Sequence, residues 1–216
     1  MFADRVDAGR RLAKALARFS GQNPLVLALP RGGVPVGYEV ATALGGQLDV
    51  LLVRKVGAPG QPELAIGAIV DGESIDVVLD HERIAALGVP ESLVAQQVRN
   101  ATEELRRRET LYRGSRPWIP VEGRLVLVVD DGIATGASVR AALQRLARLH
   151  PQQLVLAVPV APPDSLVMLR PYCNLIVCLA EPPYFHAVGQ FYDHFDQVSD
   201  QQVMDVLKRM PVTRLR

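Results

Sequence analysis

Charge of one sign, long apolar runs and clustered cysteines are all missing from this chain of 216 residues. Each absence removes a class of function. The 24 Lys and Arg against 23 Asp and Glu leave a formal charge of +1, which gives no global pull toward nucleic acid or a membrane surface. No apolar run approaches the roughly 20 residues that span a bilayer. The opening MFADRVDAGRRLAKAL mixes acids with its basic residues and reads as an amphipathic helix, not a secretory leader. The two cysteines, Cys173 and Cys178, lie at the apolar stretch NLIVCL. Their odd spacing sets them on opposite faces of one strand, so they read as buried free thiols in a reducing cytoplasm. Two cysteines alone also make no zinc site. There is no GK[ST] phosphate loop, no G-x-S-x-G elbow and no H-E-x-x-H helix.

What is present is an alternation of apolar strands and amphipathic helices. A helix is predicted over 3–19, then a buried strand PLVLAL (24–29), then PRGGVPVG leading into a helix that ends at Gly45-Gly46. DVLLVR (49–54) reads as the next buried strand, and the loop KVGAPGQPE follows. AIGAIV and SIDVVL read as strands around Asp71-Gly72. Residues 90–113 carry the longest helical stripe, through Val94, Val98, Ala101 and Leu105. RLVLVV (124–129), ASVRAALQRLARLH, QLVLAVPV and NLIVCLA then continue the alternation. The pattern predicts an α/β fold, a mostly parallel twisted sheet with helices on both faces. In such sheets ligands sit at the carboxyl ends of the strands. Arg31-Gly32-Gly33, Arg54-Lys55 and Asp130-Asp131 each follow a predicted strand, which places all three on one edge.

The stretch VLVVDDGIATGAS (126–138) is the most informative. Two adjacent carboxylates at the mouth of a buried strand repel each other and cost several kcal/mol unless compensated. The candidates are a cation, donating sugar hydroxyls, or water. The small residues that follow, with Thr135, Gly136 and Ser138, make a cradle of backbone donors at a helix start, suited to phosphate. Thr and Ser are also good helix caps, so the loop alone reads equally as an ordinary capped start. A phosphorylated sugar satisfies both halves at once: hydroxyls on Asp130 and Asp131, phosphate on the loop.

VLVVDDGIATGAS resembles, over its full length, the 5-phosphoribosyl 1-pyrophosphate (PRPP) motif of type I phosphoribosyltransferases. ALPRGGVPVG resembles that family's pyrophosphate loop, and VRKVG the cationic segment after its second core strand. Residues 24–180 fit the family's order, and the whole chain is similar to its uncharacterised branch. The resemblance implies a core over 1–180, with a helical insertion near 80–116, and a C-terminal hood over 181–216. It implies Mg2+-dependent transfer of the phosphoribosyl group from PRPP to a small nitrogenous, base-like acceptor, with release of pyrophosphate, in a cytoplasmic homodimer.

The resemblance also implies site roles. Asp130, Asp131, Gly132, Ile133, Ala134, Thr135, Gly136, Ala137 and Ser138 would hold ribose 5-phosphate, the two acids reaching the metal only through PRPP. Arg31, Gly32, Gly33, Arg54 and Lys55 would hold pyrophosphate. Asp130, Asp131 and Glu63 would be the catalytic residues. Ala134 stands where hypoxanthine-guanine enzymes carry an Asp, so Glu63, in a Gly/Pro-rich lid, is the acid/base candidate by position. Phe185, Phe191 and Tyr192 would stack on the acceptor, although at least half of the tail aromatics are expected to form the hood's own core. A regulator that binds PRPP or a nucleotide, and RNA through the Arg-rich 99–116 stretch, is the rival reading. That stretch reads more simply as a solvated face with i,i+4 ion pairs.

Overall fold

The computed structural model describes residues 1–210 and divides the chain into two units, 1–50 with 119 onward, and 51–118. The segment expected as an insertion near 80–116 therefore belongs with the strands that precede it. The last six residues of the expected hood lie outside the described residues.

The first unit is built on five parallel strands: β1 (Leu25–Ala28), β2 (Gln47–Val50), β6 (Leu125–Val129), β7 (Gln153–Val160) and β8 (Leu175–Ala180). Their order is β2-β1-β6-β7-β8. Every residue of β1 and β6 is buried, as unbroken apolar runs require of central strands. Helices α1 (Arg5–Ala15), α2 (Gly33–Leu44), α5 (Ala137–Ala147), α6 (Pro163–Leu169) and α7 (Asp200–Arg209) flank the sheet. Helix α1 begins at Asp4, whose side chain accepts from the Asp7 amide, and buries Ala8, Gly9, Leu12 and Ala13. Helix α2 ends as predicted on Gly45, at φ +66°.

Register fixes the site. Ala28 stands opposite both Val50 and Val129, so β1 and β6 end level with each other. The Leu29 amide extends the ladder by one bond to the Val129 carbonyl, 2.9 Å. From β1 the chain runs outward to β2, and β6 returns on the other side of β1. The β1/β6 boundary is thus the topological switch point, where open α/β sheets leave a crevice for ligand.

Two expectations about strands are corrected. The predicted strand 49–54 is two elements, because the parallel sheet stops at Val50. In the second unit the run re-pairs as β3 (Val53–Ala58) against β4 (Gln61–Val70), antiparallel, with β5 (Asp76–Leu79) beside β4. Arg54 and Lys55 therefore sit inside an antiparallel strand and not on a loop that follows a parallel one. The switch is held by Asp71, whose carboxylate accepts from the Leu52 amide at 2.8 Å. Strand β8, predicted buried, is an edge strand with all six residues partly exposed. Cys173 and Cys178 are accordingly half-buried, not buried.

The second unit also holds α3 (His81–Ala86) and α4 (Glu91–Arg113), the latter burying Val94, Ala101 and Leu105 as its stripe predicts. Arg113, read as part of a solvated basic face, is buried on Asp71 at 3.1 Å with Trp118 beneath its guanidinium. Arg107 and Arg108 share Glu104, whose carboxyl they hold down to about 2. No helix among the described residues is long and apolar enough to cross a membrane.

Candidate functional site

Two loops meet at the switch point. After β1 come Pro30, Arg31, Gly32 and Gly33; after β6 come Asp130 and Asp131. The two loops pack so closely that only glycine fits at 32 and 33. A Cβ on Gly32 would lie 2.5 Å from Cγ of Asp131 and closer still to its Oδ2. One on Gly33 would lie 2.8 Å from the Val129 carbonyl oxygen and 2.9 Å from Cα of Asp130. The Pro30–Arg31 peptide is cis. Arg31 extends toward the first residue of α7, with its guanidinium 3.7 Å from Asp200.

The carboxylates are compensated in a way the sequence did not reveal. Arg5, the first residue of α1, places Nε 2.7 Å from Oδ2 of Asp131, both side chains being largely buried at 12% and 14% exposure. Asp130 turns back on the chain, its Oδ1 accepting from the Asp131 amide at 2.9 Å. The Tyr192 hydroxyl donates to the Asp131 carbonyl. Burial pushes the Asp130 carboxyl well above the ordinary carboxylate range, and the Asp131 charge adds to the push. Burial also raises Asp131, against which the Arg5 guanidinium pulls down. One cation thus serves two acids.

The loop 132–136 then leads to α5. Its Ile133 amide is tied to the Val160 carbonyl at 2.9 Å, and the Ser165 hydroxyl donates to the Ala134 carbonyl at 2.6 Å. Ala134, Thr135 and Ala137 are exposed. The N-cap is Gly136 at φ +70°, a left-handed conformation that disfavours any side chain, and no side chain caps the helix. Neither Thr135 nor Ser138 acts as the cap that a structural reading would assign. With no side chain capping them, the first amides of α5 are the donors an anion would meet, with the helix dipole behind them.

The tail joins this site through the N-terminus. The Phe2 amide donates to the Phe191 carbonyl, and the Asp193 and His194 amides donate to the Phe2 and Ala3 carbonyls, each at 2.9 Å. Tyr192 is buried against Phe2, their ring centroids 5.4 Å apart. It offers no open face for stacking on an acceptor, which corrects that expectation. Phe185 and Phe191 stack on each other at 5.3 Å and are partly buried against the same cluster.

Of the remaining candidates, Arg54, Lys55 and Glu63 are exposed on the β3–β4 hairpin of the second unit. The hairpin turns at Pro59-Gly60, where Gly60 has φ +73°. Burial lifts the Cys178 thiol to about 11, which keeps it protonated and unreactive near neutral pH.

The model of the phosphoribosyl transferase domain matches residues 3–193. The chain belongs to the phosphoribosyl transferase family. It is 48% identical over 210 residues to Mycobacterium tuberculosis proteins named "Putative phosphoribosyl transferase", the match taking in 97% of this chain and 47% of theirs. The chain thus spans about half the length of these curated relatives. The crystal structure of TT1426 from Thermus thermophilus superposes with a TM-score of 0.81 at 44% identity, over 95% of this chain and 97% of that one. A hypothetical protein from Neisseria gonorrhoeae, solved with bound ppGpp, shares the fold alone: TM-score 0.50, 12% identity, 94% of this chain and 91% of that one. Within the phosphoribosyl transferase fold, the structure joins the loop 31–33 to Asp130 and Asp131.

Arg5 is the residue that sequence reasoning missed. The signal was there: Arg5 shares the buried stripe of α1 with Ala8, Gly9 and Leu12, at helical spacing. A cation on the apolar stripe of a helix requires a buried counter-charge.

Proposed function

We propose that this protein is a phosphoribosyltransferase that moves the 5-phosphoribosyl group of PRPP to a small nitrogenous acceptor and releases pyrophosphate. The observation that carries the reading is that the glycine loop after β1 packs on the acid pair that follows β6, and that the same β6 loop runs on into the uncapped start of α5. No common structural role needs all three.

In this reading the free amides and hydroxyls of 134–138 take the 5′-phosphate. Asp130 and Asp131 accept the ribose hydroxyls, whose donors offset the mutual repulsion of the acids. Arg31 and the backbone of 31–33 face the leaving pyrophosphate. Cleavage of the C1–O bond loads positive charge on the ribose and negative charge on the leaving group, so fixed donors act mainly on the transition state. Removal of one should cost on the order of 3 kcal/mol in barrier. Arg54 and Lys55 as further cations, and Glu63 as acid/base, are proposed from residue type and chain order, as is stacking of the acceptor on Phe185 and Phe191.

Among the described residues no three His, Cys, Asp or Glu group together as a metal cage. Two carboxylates, one already ion-paired, suit a magnesium ion held mostly by substrate oxygens and water. So bound, it would neutralise charge on the pyrophosphate. Assembly as a homodimer belongs to the same proposal and is read by sedimentation.

The test is pyrophosphate release from PRPP across a panel of nucleobases and amines, with calorimetric PRPP binding beside it. Binding that is lost in Asp130→Ala/Asp131→Ala while the fold persists supports the reading. Equal binding by both proteins refutes the site. Binding without turnover on any acceptor would favour a PRPP-responsive regulator.

A further inference from the structure

Arg5 does more than neutralise an acid. Its Nε holds Asp131, its Nη1 donates to the Asp196 carbonyl at 2.7 Å, and its guanidinium lies 3.9 Å from the Phe195 ring centroid. The guanidinium is therefore fixed on three sides, by the acid, by a tail carbonyl and by a tail ring. Phe195 is itself set by Tyr192, with ring centroids 4.9 Å apart, and by Gly189, where a Cβ would meet the Phe195 ring at 2.8 Å. Tyr192 completes the loop by donating its hydroxyl to the Asp131 carbonyl. Two routes thus run from residues 189–196 to one aspartate: a backbone contact through Tyr192 and a side-chain contact through Arg5. A planar guanidinium that donates to several acceptors keeps its partner's geometry better than a free ammonium does.

We infer that Arg5 is a positioning residue for the sugar half of the site, fixing the Asp131 carboxylate on behalf of the tail, so that residues 192–196 govern sugar binding without touching the sugar. Arg5 acts through Asp131 and is not itself a catalytic residue. One oxygen of Asp131 is given to Arg5, and that bond sets how the carboxylate is presented to ligand. Loosening Arg5 frees the carboxylate to rotate, and ligand binding must then bear its ordering cost. A ligand that lacks the sugar is indifferent to this.

The inference rests on the proposed function for its ligand, and the experiment separates the two. Calorimetry is run with ribose 5-phosphate, PRPP and pyrophosphate on wild type, Arg5→Gln, Arg5→Lys and Phe195→Ala. Arg5→Gln and Phe195→Ala should weaken the two sugar ligands about tenfold while pyrophosphate affinity stays within about twofold. Arg5→Lys should lie between. A general structural role would weaken all three ligands alike, and that result overturns the inference. The ligand-free protein gives a second readout by 1H–15N spectroscopy of the Arg5 Nε–H. Protection from solvent exchange in wild type, lost in Asp131→Ala and reduced in Phe195→Ala, supports the inference. An unprotected Nε–H in wild type overturns it. Failure of wild type to bind any of the three ligands counts against the proposed function, and the Nε–H signal then still decides the role of Arg5.

Discussion

Gly32→Ala is the sharpest perturbation of the loop junction. The new methyl would stand 2.5 Å from Cγ of Asp131, whereas ordinary contact begins at 3.4 Å. The Asp131 Oδ2 lies closer still, so the carboxylate would have to retreat by about 1.5 Å. Arg5 cannot follow, because the Asp196 carbonyl and the Phe195 ring hold it. The 2.7 Å ion pair is then stretched past bonding distance. Overpacking costs about 1–3 kcal/mol and loss of a charge-assisted bond about 1.5–3 kcal/mol. A combined loss near 3 kcal/mol corresponds to a fall in Tm of about 6–12 °C for a chain of this size. Gly45→Ala is the control. It has a positive φ but nothing within 4 Å of its Cβ, so it should lose only the left-handed backbone term, about 1–2 kcal/mol. The assay is denaturant unfolding of Gly32→Ala, Asp131→Ala and the double variant. Because the clash needs the Asp131 side chain, the two changes should be coupled by at least about 1 kcal/mol, the double variant losing less than the two singles together. Strict additivity would refute the close packing of Gly32 on Asp131.

Other outcomes follow from the same geometry. Asp130 has a folded-state pKa above its unfolded value, so the folded state binds the proton more tightly and stability declines as pH rises between the two. Asp130→Asn should remove that slope and raise stability near pH 7 by about 1 kcal/mol, seen as a higher Tm, while PRPP binding is lost. Thr135→Ala/Ser138→Ala should leave stability within about 0.5 kcal/mol, since neither residue caps α5, yet weaken ribose 5-phosphate binding about tenfold. A Tm loss matching a broken cap would show that the hydroxyls serve the helix. In the second unit, Arg113→Met should cost about 3–5 kcal/mol because it strips Asp71 of a buried counter-charge, read as earlier loss of amide-exchange protection over 51–118.

The sheet and the acid pair were legible because both follow short-range rules: unbroken apolar runs for central strands, and small residues with hydroxyls at a strand-to-helix turn. The break at Val50 was not, because Leu51, Leu52 and Val53 continue the apolar run and only the partner strand changes. The exposure of β8 was not, since an apolar run looks the same at the edge of a sheet as at its centre. Arg5 escaped because it meets Asp131 only through tertiary packing, although its place on the buried stripe of α1 marked it. Tyr192 shows the converse: an aromatic tail read as a stacking surface commits one of its rings to the core.

The most direct measurement is a crystal structure of the protein with PRPP and magnesium. The account predicts ribose hydroxyls on Asp130 and Asp131, the 5′-phosphate on the amides of 135–138, and pyrophosphate along Arg31–Gly33. PRPP lodged elsewhere, or bound here with its ribose turned away from both carboxylates, would contradict it.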